Sequence, residues 1–390
     1  MDRQLKSLRR EVLHWLDTMK IPGSVCRYKF DRNSDDSIFT SCFALFIYDL
    51  FKETDEFTSI QKNIWVEYIQ GFQDETTGYF EPIECFHKDI ERNTHQLTAF
   101  CISALRILNT TPKYSLSFVY TKWSTNEQVS QYLHDIGVPK GKSGAGNKAM
   151  FMAIFLTYEY ERTKSKQLLS QINTWFEFHN THQNPETGLW GTNHKDRYFN
   201  TSQNGFHQVI IYDYWNKPLI NTEKILSVLL SQQNKDGSFS PVPGGESCFD
   251  SDSIILLAFI KKRLLLNPES IVLKNALNNM FRNKNEDGGF AESKYFPKRI
   301  MDILLLLPNI ISADLGKSHY VMRKTIGQVV YGNSENATGW VKHPRVLDIS
   351  NLWDTWFRCL GISQIQIMMK PDDLSPYRFH KNIGIGFVHE

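Results

Sequence analysis

Gln73-Asp74-Glu75-Thr76-Thr77-Gly78-Tyr79-Phe80 is a phrase the chain repeats. It returns as Gln183-Asn184-Pro185-Glu186-Thr187-Gly188-Leu189-Trp190 and as Gln233-Asn234-Lys235-Asp236-Gly237-Ser238-Phe239. Weaker copies are Asn285-Glu286-Asp287-Gly288-Gly289-Phe290 and Asn336-Ala337-Thr338-Gly339-Trp340. Successive glycines stand 110, 49, 51 and 51 residues apart, so the first interval is a doubled one. The degenerate stretch from Tyr132 to Gly137 fits the missing copy, and Pro22-Gly23 fits a further unit before the first.

An amphipathic segment with large apolar residues at helical spacing precedes the better copies: Trp65, Tyr68 and Phe72; Trp175 and Phe178; Leu226, Leu229 and Leu230. A second, more apolar segment follows the turns, over 37–50, 94–108, 147–158, 205–215, 252–265 and 352–368. These lengths predict helices, and the scarcity of polar positions in the second set predicts burial on most sides. An exposed helix, a turn and a buried helix about every 50 residues is a repeat of helical hairpins. Nothing distinguishes polar capping repeats at the ends, which an open solenoid needs. The sequence therefore predicts an all-α fold, an α/α toroid closed from six to seven hairpins over residues 1–370. Residues 371–390 form an irregular strap.

The composition excludes several classes. With 390 residues, 41% hydrophobic, only 14 prolines and a net charge of +2, the chain is neither disordered nor built for nucleic acid. Its six cysteines never fall at CxxC spacing, which suits free thiols in a reducing compartment. No stretch has the length and apolarity of a membrane span, and the charged N-terminus lacks a signal-peptide core. The expectation is a cytoplasmic protein, with contact at a membrane surface left open and the oligomeric state unread.

The Gln-x3/4-Gly-x-aromatic phrase resembles the repeat motif of the terpenoid cyclase and protein prenyltransferase superfamily. The resemblance implies the toroid, with glutamine and glycine turning the outer helix and the aromatic ring wedged between repeats. It says less about function, because similar toroids serve glycoside hydrolases, polysaccharide lyases and binding domains.

A toroid gathers inner-helix N-termini at one mouth. The residues this places there are Asp35 and Asp36; His95 and Gln96; Asn147 and Lys148; His207 and Gln208; Asp250 and Asp252; Arg299 and Asp302; and Trp353, Asp354, Trp356 and Arg358. Ordinary capping accounts for Asp36 and Asn147 taken singly. In class II terpene cyclases an Asp-x-Asp-Asp motif supplies the acid, and the resemblance maps its first two aspartates onto Asp250 and Asp252, with Ser253 in place of the third. Two carboxylates two residues apart are expected to share a proton. Asp252, Asp250, His207 and Asp354 are thus the catalytic candidates. His95, Gln96, Asn147, Lys148, Trp353, Trp356, Arg358 and Asp36 are the substrate-binding ones.

No cofactor is expected. The prenyltransferase zinc site needs an Asp-x-Cys pair that Asp250-Ser251-Asp252 lacks, and His95, His207 and Asp252 are the sole ligand set that can be assembled. Two other readings stay open: a carbohydrate-active enzyme of a surface-polysaccharide pathway with paired carboxylates among Asp36, Asp252 and Asp354, and a binding or scaffold toroid. The substrate is a small molecule or a glycan. The loop from Lys140 to Asn147 lacks the order of a phosphate loop and reads as a flexible replacement turn.

Overall fold

The structure is a computed structural model that describes residues 2–81, 89–191, 198–240, 244–266, 270–294, 335–336, 338–370 and 376–380. Its helices are α1 (Asp2–Met19), α2 (Ile38–Leu50), α3 (Ser59–Gln70), α4 (Ile90–Ile107), α5 (Ser117–Lys122), α6 (Asn126–Asp135), α7 (Ala145–Thr163), α8 (Lys166–His182), α9 (Tyr198–Tyr214), α10 (Thr222–Gln232), α11 (Ser247–Leu264), α12 (Ser270–Arg282) and α13 (Leu352–Met369). A two-residue antiparallel pair, Glu335–Asn336 with Arg345–Val346, is the one sheet among the described residues. Thr58 and Thr125 open α3 and α6 through capping boxes, and Ser37 opens α2 the same way. α2 and α13 are buried almost along their whole length, as their apolar sequences require.

The chain divides into two compact units. One comprises Met1–Phe57, Phe86–Lys88 and Leu229–Arg378; the other comprises Thr58–Cys85, Asp89–Val228 and Phe379–Glu390.

The repeated phrase builds the same device each time. Gly78, Gly188, Gly237, Gly288 and Gly339 all adopt positive φ, between 71° and 102°. At Gly237 a Cβ would lie 2.1 Å from the Asn275 carbonyl oxygen, and at Gly78 it would lie 2.1 Å from that of Ser115. The turn thus admits glycine for its backbone angle and for the close approach of the following outer segment.

The glutamine does more than close its own turn. Gln73 Nε2 donates to Gly78 O at 3.1 Å and to Tyr114 O at 2.9 Å. Gln183 does the same with Gly188 O and Ile220 O, and Gln233 with Gly237 O and Val272 O. One side-chain amide therefore ties each of these three turns to the start of, or the lead-in to, a helix about forty residues on. The turn aromatics Phe80, Trp190, Phe239, Phe290 and Trp340 are all buried.

Six helix-turn-helix pairs run through the described residues: α1–α2, α3–α4, α6–α7, α8–α9, α10–α11 and α12–α13. The Gly288 turn docks on α13, where Phe290 N donates to Thr355 Oγ1 at 2.9 Å. A Cβ on Gly288 would meet Glu11 O of α1 at 2.4 Å, the contact that earlier turns make with the next outer segment. Within its unit, the chain's first helix follows its last outer one. Of the predicted strap, residues 376–380 are described: Tyr377 is buried beside Phe51, and Arg378 N donates to Leu50 O at 2.9 Å.

Candidate active site

The amide of the turn aromatic is anchored on a neighbouring buried helix. Phe80 N donates to Thr98 Oγ1 of α4 at 3.0 Å, and Phe239 N donates to Asp250 Oδ1 of α11 at 2.7 Å. With the Phe290–Thr355 bond this makes Asp250 the counterpart of two threonines. Its other oxygen, Oδ2, accepts from Arg358 at 2.7 Å. Burial raises the Asp250 carboxyl to about 6, against the opposing pull of Arg358. Asp250 is thereby part of the framework that seats the turn.

Asp252 is placed differently. In the register set by these anchors it matches Phe100 and Phe357, both buried apolar positions, yet it is itself buried at 2% exposure. Ser247, Asp250 and Ser251 of α11 all engage α13, through Asp354, Arg358 and the Phe357 carbonyl. At 100° per residue, Asp252 turns away from that face. Burial alone pushes its carboxyl well above the usual range. Cys248, one turn earlier on the same side, has its thiol raised by burial and by neighbouring carboxylates that include Asp252.

Two expectations are corrected here. α11 begins at Ser247 after the N-cap Glu246, so Asp252 lies in the second turn and neither opens nor caps the helix. Asp250 and Asp252 do not share a proton: residues two apart on a helix point to different sides, and Asp250 is held by Arg358 and the backbone amides of Phe239 and Ser240.

A shared proton sits elsewhere. Glu292 and Asp354 are both buried, and the Ser247 hydroxyl lies 2.9 Å from Glu292 Oε2 and 2.5 Å from Asp354 Oδ1. Arg345 bridges them from the other side, at 2.8 and 3.2 Å. Asn351, the N-cap of α13, also donates to Asp354. Two buried carboxyls this close hold one proton: Asp354 is raised to about 8 by burial and by Glu292, while Arg345 keeps Glu292 low. Glu292 and Arg345 escaped sequence reasoning, because they lie 53 residues apart and their spacing follows no repeat period. The available signal was an acid two residues past Phe290, where the copies at Phe80 and Phe239 carry Pro82 and Pro241.

The remaining candidates divide between the two units. In the unit with α11, Asp36 accepts both arms of Arg27 at 2.6 and 3.0 Å, leaving the cap of α2 to Ser37. Asp35 lies near His343. Trp353 and Trp356 are core rings, stacked among Trp340, Phe43, Phe46 and Phe357. In the other unit, His95 and His207 are buried and burial lowers both to about 3, so each imidazole is neutral. Gln96 and Gln208 are buried beside them on α4 and α9. Asn147 lies inside α7, whose N-cap is Gly144, and Lys148 pairs with Asp89 at 2.9 Å. The glycine-rich loop before α7 is tied down by Asn204, which accepts from Gly146 N and donates to Lys142 O. Arg299 and Asp302 lie outside the described residues.

The residues do not fit the zinc that a prenyltransferase kinship implies. No cysteine follows the aspartate, and Asp250 commits its oxygens to Arg358 and backbone amides. No group of three His, Cys, Asp or Glu side chains among the described residues has metal-holding geometry. The five described cysteines are free thiols, and no described helix is long and apolar enough to cross a membrane.

No curated protein matches the chain, and no solved structure matches it. The family model of the prenyltransferase alpha-alpha toroid domain matches residues 1–110 and 82–296, about three quarters of the sequence. Together with the glycine turns, the glutamine ties and the all-helical hairpins, this match establishes that the chain belongs to the prenyltransferase alpha-alpha toroid domain family.

Proposed function

We propose that the chain is an enzyme of acid-initiated chemistry on an alkene-bearing, isoprenoid-like substrate, with Asp252 as the proton donor. The observation that carries this reading is the placement of Asp252: a buried carboxyl where the register puts phenylalanines, on a side of α11 turned from the Asp250–Arg358 pair. A carboxylic acid that keeps its proton at neutral pH is what protonation of an alkene requires. The acid proton adds to one alkene carbon, the resulting carbocation is discharged by losing a proton, and the Asp252 carboxylate is reprotonated from solvent.

The geometry favours this over glycan hydrolysis, which sets two carboxylates across one bond. Asp36 is committed to Arg27, and Asp354 to Ser247, Arg345 and Asn351. A single acid standing in place of a ring suits a hydrocarbon better than a glycoside.

The test is Asp252→Asn, followed by thermal melting and by mass spectrometry of products from squalene, geranylgeranyl diphosphate and farnesyl diphosphate. The expected result is an unchanged melt with turnover lowered on the order of a hundredfold or more. Wild-type protein that converts none of the three, or a variant that keeps its turnover, overturns the reading and leaves a binding toroid.

A further inference from the structure

The unit without α11 contains a second cluster that none of the chemistry above uses. His95 of α4, Trp123 just after α5 and Tyr132 of α6 form a chain of rings, with centroids 5.9 Å apart for the first pair and 5.4 Å for the second. Tyr79, Phe118 and Phe155 pack around His95, with Tyr79 and Phe118 stacked at 3.6 Å. His95 Nδ1, Trp123 Nε1 and Tyr132 Oη are all buried, and none has a hydrogen-bond partner among the described residues. A single orphaned polar atom is an ordinary imperfection; three in one ring cluster are not.

All three atoms can serve as donors. An indole nitrogen only donates, and a buried phenol donates far more readily than it ionises. Tyr79 Oη lies 3.1 Å from His95 Nε2. With that hydroxyl donating to Nε2, the neutral imidazole carries its proton on Nδ1 and becomes the third donor. The Lys122 ammonium stands 5.7 Å from the Trp123 ring centre and 5.9 Å from that of Tyr132, but it is paired with Glu91, and Lys148, which also acts on His95, is paired with Asp89, so the charges around the cluster are balanced. Three buried donors within one ring cluster call for a ligand group with several acceptor lone pairs, which a carboxylate supplies, and the surrounding rings call for an apolar body behind it. A doubly charged phosphate loses more hydration in such surroundings than three neutral hydrogen bonds return, whereas a monoanion loses less.

We infer that the His95–Trp123–Tyr132 cluster is a binding site for a small carboxylate with an apolar tail. The inference does not depend on Asp252.

Proton–nitrogen correlation spectra of the indole N–H groups test it on the full chain. Trp123→Phe keeps a ring and deletes one peak, which assigns Trp123; displacement of the same peak by Tyr132→Phe identifies it a second way should the first variant misfold. Sodium hexanoate and sodium benzoate should move that peak downfield and saturably, inorganic phosphate and hexanol should not, and Tyr132→Phe should weaken carboxylate binding about tenfold. A peak that neither carboxylate moves, an affinity that Tyr132→Phe leaves intact, or tighter binding of phosphate than of hexanoate would each overturn the assignment.

Discussion

The two units treat buried polarity in opposite ways. Around α11 and α13 three buried carboxyls are tied to cations and donors: Asp250 to Arg358, Glu292 to Arg345, Asp354 to Arg345, Asn351 and Ser247. Around α4 and α9 the buried polar groups are neutral histidines and aromatic donors set among rings, and at His95, Trp123 and Tyr132 one polar atom each meets no partner among the described residues. Ion pairing rigidifies a fold even where, as at Arg345 and Arg358, the guanidinium Nε meets no partner among the described residues, while neutral unsatisfied groups cost stability and are retained where something else uses them.

The largest effect should come from breaking the framework. Arg358→Met leaves Asp250 buried without its cation, which costs about 3–5 kcal/mol of unfolding free energy. Urea denaturation measures it. Adding Asp250→Thr, which installs the residue that Thr98 and Thr355 supply in the equivalent anchors, should recover most of the loss. A double variant no better than the single one would show that Asp250 is more than an anchor.

Titration should separate the units next. Asp250 and Asp354 have folded pKa values raised above those of the unfolded chain, so their contribution is full at low pH and is lost as pH rises through about 6 and about 8. His95, His179 and His207 are lowered to about 3, so the unfolded chain takes up protons first and stability falls as pH drops below the ordinary imidazole range. Three histidines outweigh two carboxyls below the imidazole range and Asp354 acts alone above it, so stability should peak near about pH 6.5. Asp354→Asn should flatten the alkaline limb alone and His179→Gln the acid limb alone, each followed by urea midpoints across pH. One variant flattening both limbs would end the distinction.

The contrast also shows what the sequence could carry. The turns were legible because each is a local requirement: glycine for a positive φ, glutamine for a tie about forty residues on, an aromatic to bury. The buried helices were legible from their lack of polar positions. Their starts were less so, since Ser247 to Ser251 belong to α11 although the apolar segment was read from residue 252. The sequence left six or seven hairpins open, and residues 295–334, between the Gly288 and Gly339 phrases, lie outside the described ones. Asp250 and Asp252 looked alike in sequence because the difference between them is made by Arg358, more than a hundred residues away. Trp123 and Tyr132 drew no notice as a pair, since only folding shows that their polar atoms are left unmatched.

The smallest predicted effect is the sharpest on that last point. If Tyr132 Oη is an orphan in the unliganded protein, its burial costs about 1–3 kcal/mol with nothing returned. Tyr132→Phe removes the oxygen, keeps the ring against Trp123 and opens no cavity of consequence. The variant should therefore be more stable than the parent, by about 1 kcal/mol in urea denaturation without added ligand, because a relaxed neighbour recovers part of any such penalty. A gain of stability on losing a hydrogen-bonding group is the mark of a residue kept for binding rather than for folding. A loss of about 1 kcal/mol would mean that ordered water already satisfies the hydroxyl. That result would return the cluster to the framework and erase the difference between the two units at this position.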